Sequence, residues 1–304
     1  MKQASKLICL MAIYLTSPII LSCKKIEQKP TADIPVDQIA ARTGPKLSNQ
    51  VSAWSRIFTD DFTNSGSFSN WTKANRADYN SSLCVYDPNV PVIGNYDSRS
   101  VLVLTATPNG GTYKSGLVKS NFSFKPGVNE EYRTSASIKL IALDGTTWKD
   151  FAQTYGAWPA FWTVQETNWP VQGEIDIMEG YSFGNSAKYA SNLFYGSSAN
   201  NNQLGNTCEK PYGVNSGWHT YDEYWKNENG NITVTIQLDG VTVSSYTNAI
   251  NGNLKLQNFG PHNIIFNLNV GSNNNIGIFN NSQINLFSKT MLWVDYVTVD
   301  KRTL

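Results

Sequence analysis

Charge is scarce in this chain. Lys, Arg, Asp and Glu make up 15% of its 304 residues and leave a formal net charge of +1, against about a quarter charged in an ordinary soluble domain. So neutral a balance gives no basic field that would steer the chain toward nucleic acid. Histidine is scarcer still, with two residues, so a nucleophile–histidine triad has little material. The four cysteines and these histidines fall into no metal-binding spacing. There is no phosphate-cradling loop and no dinucleotide fingerprint. No segment sustains a helical period, which excludes a helical bundle.

What the chain does have is aromatic residues, at 12%, and short apolar runs cut by turns. Val101–Ala106, Leu117–Phe124, Tyr132–Leu143, Trp158–Val164 and Gly173–Glu179 have the length and pattern of strands. Ser191–Tyr195, His219–Trp225, Ile232–Leu238, Val241–Tyr246, Ile264–Val270 and Met291–Val299 follow. Asp239-Gly240 between two alternating runs marks a hairpin. Pro108-Asn109-Gly110-Gly111 marks another turn. Many short strands at regular spacing predict an all-β sandwich of two packed antiparallel sheets. The Asn-rich stretches 200–206 and 272–281 are predicted to be surface loops.

Within this frame one stretch stands out, Gly173 to Gly180, GEIDIMEG. It sets Glu174, Asp176 and Glu179 among Ile175, Ile177 and Met178. Alternation puts Glu174 and Asp176 on one face of a strand and would send Glu179 to the other. One extra residue in a β-bulge, most simply at Met178, returns Glu179 to the face of its partners. Like charges on one face repel, so at least one acid must hold its proton near neutral pH. A protonated carboxyl beside an ionised one is what glycosidic bond cleavage requires, and it requires no cofactor. A solvated or calcium-binding acidic strand is the competing reading of the spacing alone. Trp158 and Trp162, four apart on a strand, share a face; with Trp169 they form either a stacking platform for sugar rings or part of the core.

The surroundings decide between these readings. GAWPAFW (156–162) and WPVQGEIDIMEG (169–180), with weaker matches at FTDDF (58–62) and WVDYVTV (293–299), resemble the laminarinase-like branch of glycoside hydrolase family 16 over roughly residues 52–304. The resemblance implies a concanavalin-like β-jelly roll with a concave sheet carrying the cleft. It implies Glu174 as nucleophile, Asp176 as its assisting acid and Glu179 as general acid/base. It also implies Arg133 and His219 as residues near the sugar, although a structural role suits His219 better. Ser135 and Ser137 stand where the family often has an acid and a base. NLNVG, with Asn267 and Gly271, continues into Ser272 and asparagines where laminarinase-like members have a further glycine and a tryptophan. Asp295 resembles an aspartate that holds structural calcium. The expected substrate is β-1,3-glucan, with a mixed-linkage β-glucanase or an endo-β-galactosidase acting on an agar-like or host glycan as alternatives and an inactive surface glycan binder as the reading of another class.

Ahead of this domain the chain has the form of an exported lipoprotein. Lys2 and Lys6 precede an interrupted apolar run from Leu7 to Leu21 that is too short to span a membrane comfortably. It ends in Ile20-Leu21-Ser22-Cys23, similar to a bacterial lipobox, which implies that residues 1–22 are removed and that a lipid on Cys23 anchors the protein to the outer membrane. Residues 23–51, with scattered prolines, form a flexible tether to a monomeric domain over 52–304. Cys84 and Cys208 form a disulfide in an oxidising compartment or remain two separate buried thiols.

Overall fold

The computed structural model describes residues 52–78, 83–167, 169–198, 201–210, 216–249, 255–272, 277–284 and 287–304, with the backbone alone described at 198 and 201–210. The expected export signal, the lipidated Cys23 and the tether lie outside the described residues. The first strands are β1 (Ser55–Asp60), β2 (Trp71–Lys73), β3 (Arg76–Ala77), β4 (Cys84–Tyr86), β5 (Val92–Tyr96), β6 (Arg99–Asn109), β7 (Thr112–Ser115) and β8 (Leu117–Phe124). Then come β9 (Glu130–Asp144), β10 (Thr147–Asp150), β11 (Ala157–Val164), β12 (Glu174–Ser182), β13 (Ala187–Ser198) and β14 (Asn201–Lys210). The chain closes with β15 (Trp218–Glu228), β16 (Asn231–Leu238), β17 (Val241–Thr247), β18 (His262–Val270) and β19 (Lys289–Thr303).

The strands form two sheets, as the alternating runs predict. The smaller has seven strands in the order β14-β13-β12-β11-β18-β8-β2. The larger has twelve and follows β17-β16-β15-β9-β19-β6-β7-β4-β3, with β1, β5 and β10 at its margins. Pairing is antiparallel except between β4 and β7. Alternation explains which face each strand buries. On β9, Ala136, Ile138, Leu140 and Ala142 enter the common core, and β12 answers from the other sheet with Ile175, Ile177 and Met178. Each such side chain, fully buried, contributes about 1.5–3 kcal/mol when aliphatic and large. The Asp239-Gly240 turn has φ of 51° and 77°, the left-handed pair that a two-residue hairpin requires.

One expectation is corrected here, and one pair of alternatives is decided. Residues 201–210 are a strand, paired along β13, although their asparagine content predicts a loop: the neighbouring edge supplies the ladder that composition alone disfavours. The Cys84–Cys208 disulfide is not formed. The Cys84 thiol is buried and donates to the Leu268 carbonyl on β18 at 3.7 Å. Cys208 belongs to β14, four places from β18 in the sheet order. At about 4.8 Å per strand that separation far exceeds the roughly 7 Å between Cα atoms that a disulfide tolerates.

Candidate active site

The cleft lies on the outer face of the seven-stranded sheet, over β11, β12 and β18. Gly173 opens β12 with φ of +81°, and a Cβ there would meet the Phe259 ring at 2.4 Å, so only glycine admits this approach. From Gly173 the strand places Glu174 and Asp176 on the cleft side and Ile175 in the core. A bulge is present, with Ile177 rather than the predicted Met178 as the extra residue. Opposite β13, Asp176 pairs with Asn192 and Glu179 with Ala190, so three steps on β12 match two on its neighbour. Against β11 the slip falls between Asp176 and Met178. Ile177 is unpaired on both sides, and its carbonyl accepts instead from the buried Tyr189 hydroxyl at 2.6 Å. Both Ile177 and Met178 are sunk in the core, and Glu179 emerges beside Glu174 and Asp176 among the residues that line the cleft.

Indole N–H groups hold the two glutamates. Trp169 Nε1 donates to Glu174 Oε2 at 2.6 Å, and Trp158 Nε1 donates to Glu179 Oε1 at 2.9 Å. Asn192 Nδ2 donates to the other oxygen of Glu179. Asp176 lies between them, with Oδ2 buried and without a partner among the described residues. Burial is the largest cause of an upward pKa shift in all three acids. For Glu174 the charge on Glu179 adds to it, and the carboxyl is pushed up to about 8 against donation from Trp169 and Asp176. Asp176 is raised well above its ordinary range by burial and then by the charges of Glu179 and Glu174. Glu179 is raised by burial and held back by Trp158, Tyr181 and Asn192. The three form one coupled set that retains protons near neutral pH.

The tryptophans predicted as a platform all line this cleft. Trp158 is also packed beneath by Tyr181 and Phe279. Trp162 Nε1 donates to Asn267 Oδ1 at 2.8 Å. Asn267 in turn donates to the Tyr86 hydroxyl at 3.1 Å, which donates to Asp78 Oδ1 at 2.8 Å. Asn269 donates to Asp78 Oδ2 at 3.0 Å. Asn192, Tyr86, Asp78 and the cleft-lining Glu166 were not legible as site residues, because they come from separate stretches that belong to no motif; Asn269 lies in NLNVG, but only its neighbours Asn267 and Gly271 were singled out there.

Arg133 lies away from the cleft, and His219 takes the structural role that suited it better. Arg133 is on β9 in the other sheet, where Nε and Nη2 bond Asp222 Oδ1 at 3.1 and 3.0 Å and the guanidinium faces the Tyr224 ring. His219, on β15 of that same sheet, bonds Asp239 Oδ2 at 2.7 Å, a structural contact at the hairpin turn. Asp295 binds Arg99 at 2.5 Å, so a guanidinium supplies the positive charge expected of calcium. Among the described residues no cluster of three His, Cys, Asp or Glu side chains could hold a metal ion.

Residues 147–254 match the XgeA-like, catalytic GH16 domain. The matched segment runs from β10 to beyond β17 and contains all three clustered acids. Among curated proteins, a keratan-sulfate endo-1,4-beta-galactosidase from Sphingobacterium multivorum is 26% identical over 239 residues, 73% of this chain. The match spans only about half of that relative, 52% of its length. A Bacteroides ovatus mixed linkage glucan GH16 in complex with a G4G4G3G product superposes with a TM-score of 0.62 at 26% identity, covering 80% of this chain and 99% of that one. An endo-1,3-beta-glucanase from Streptomyces sioyaensis shares the fold, with a TM-score of 0.64 at 22% identity over 82% and 97% of the two chains. The two-sheet architecture is thus that of GH16 jelly rolls.

Proposed function

We propose that this protein is a retaining endo-glycoside hydrolase acting on β-1,3-glucan. The observation that carries the reading is the bulge in β12, which brings three acids to one face with an indole N–H fixed on each glutamate. In the first step Glu179 gives its proton to the glycosidic oxygen while Glu174 attacks the anomeric carbon, so the leaving sugar departs and a glycosyl-enzyme ester forms. In the second, Glu179 takes a proton from water, the water oxygen attacks the same carbon, and Glu174 is released as carboxylate. Asp176, adjacent to Glu174 and holding a proton, orients the nucleophile and stabilises its charge until attack.

The lining of the cleft favours a neutral polymer. Its charged members are Asp78, Glu166, Glu174, Asp176 and Glu179, with no basic side chain among the described lining residues. A sulfated glycan would bring like charge to this surface, which weighs against a substrate such as that named for the Sphingobacterium relative. A mixed-linkage β-glucan is the second reading, supported by the Bacteroides ovatus structure at 26% identity. Reducing-end release on laminarin, barley mixed-linkage glucan, agarose, porphyran and keratan sulfate tests the proposal. Laminarin should be cut fastest. Faster release from agarose, porphyran or keratan sulfate would overturn the glucan assignment, and fastest release from barley glucan would replace it with the second reading.

A further inference from the structure

The face of the twelve-stranded sheet that points away from the core is not the polar surface that an outer face usually presents. Val101, Val103, Met291 and Trp293 form a second buried cluster there, with Ile141, Leu143, Tyr96 and Trp218 packed against it. Strand registers line its centre into one row. Trp218 on β15 stands opposite Lys139 on β9, and Lys139 opposite Trp293 on β19. Trp293 stands opposite Val103 on β6, and Val103 opposite Val92 on β5. Such a row crosses five strands, about 19 Å at ~4.8 Å per step. Trp293 is 2% exposed, yet its Nε1 has no acceptor among the described residues. Tyr96 stacks on it with centroids 4.2 Å apart, and Trp148 meets it edge-on at 5.9 Å.

This cluster is not closed over. Trp148 is 51% exposed and Val92 45%. Around the aromatics stands a ring of paired polar groups. Asp97 Oδ2 accepts from Lys139 at 2.6 Å and from Trp218 Nε1 at 3.0 Å. Arg99 bonds Asp295 and lies over the Trp218 ring at 4.6 Å. Apolar rings flanked by mutually neutralised donors and acceptors match the chemistry of a pyranose, whose C–H face is apolar and whose rim is hydroxyl. The charge is balanced in pairs, so the face offers no net field for an anionic headgroup or a charged partner.

We infer that this outer face is a second glycan-binding site, which takes a neutral polysaccharide strand against Trp148 and Trp218, with Asp97 and Arg99 bonding its hydroxyls. It lies on the sheet opposite the cleft, and it extends the glycan-processing reading without depending on which linkage the cleft cuts. The test uses affinity electrophoresis of the full chain carrying Glu174→Gln, so that the gel polysaccharide is not degraded, in laminarin, barley glucan and agarose. Adding Trp148→Ala should weaken retardation in at least one of these gels by about fivefold or more, the scale of one exposed aromatic contact. In a chain with Glu174 intact, Trp148→Ala should leave turnover of a short aryl oligosaccharide unchanged and slow turnover of the polymer. Asp97→Ala provides an independent variant should Trp148→Ala fold poorly. Unchanged retardation for both variants in all three gels would overturn the inference. So would a sedimentation result in which Trp148→Ala dissociates a dimer while retardation stays the same, since the face would then be covered by a second copy. Failure to cleave any polymer would sink the proposed activity while leaving this binding result intact.

Discussion

Trp169 and Trp158 each donate a single N–H to a cleft glutamate, and each can lose it by substitution with phenylalanine while the ring is kept. An N–H donated to a carboxylate stabilises the anion and lowers its pKa, so its removal raises that pKa. If Glu174 is the nucleophile, it must be ionised, and Trp169→Phe should move the acidic limb of the kcat/KM profile to higher pH. If Glu179 is the acid, it must be protonated, and Trp158→Phe should move the alkaline limb to higher pH. Shifts of about one unit or less are expected for one hydrogen bond. Movement of the opposite limb in each variant would mean that the roles are exchanged. Azide rescue gives the same answer by another route: Glu179→Ala on an activated aryl glycoside should yield the retained glycosyl azide, and Glu174→Ala the inverted one. The acids themselves were readable from alternation plus one inserted residue. Asn192, which bonds Glu179, was not, because nothing in SNLFY announces that it will stand opposite Asp176.

At the scale of the element, the decisive feature is the slip in β12, and Tyr189 is what closes it. Its hydroxyl bonds the one carbonyl that the bulge removes from both ladders. Tyr189→Phe leaves that buried acceptor without its partner, at a cost of about 1–3 kcal/mol. For a domain of this size each kcal/mol lowers the melting temperature by roughly 2–4 °C. Calorimetry should show this loss, and kcat should fall with it as Glu179 drifts from its position. An unchanged melting temperature would mean that the bulge is held by its core residues alone. The long strands were legible from their alternation, as β8 shows at Leu117–Phe124. The short ones were not. β3 and β4 hold two and three residues, too few for a period, and they are what bring Tyr86 and Asp78 to the cleft. Arg133 was misplaced for a related reason: a motif names a strand but not the sheet that the strand joins.

At the scale of the molecule, the core holds titratable groups that tie folding to pH. Glu223 on β15 is fully buried, with neither oxygen bonded to a described residue, and burial pushes its carboxyl up to about 8. The folded chain therefore keeps this proton between about 4.5 and 8 while the unfolded chain releases it. The stability it contributes is full below about 4.5 and falls away as pH rises through about 8. His262 works from the other side. Burial lowers it to about 4, so its stability is full above about 6.5 and is lost as pH falls through about 4. Glu223→Gln should flatten the decline in melting temperature between pH 5 and 8 and leave the acid side unchanged. An equal slope in both proteins would mean that Glu223 ionises inside the fold. The three clustered acids share this dependence on the interior, because Ile175, Ile177 and Met178, which alternate with them or follow them, are core residues. Glu174, Asp176 and Glu179 thus have no hinge of their own. Their spacing cannot be relaxed while the sandwich stays intact, so the triplet has no off state short of unfolding, and any control over this chemistry has to act on the delivery of the sugar chain.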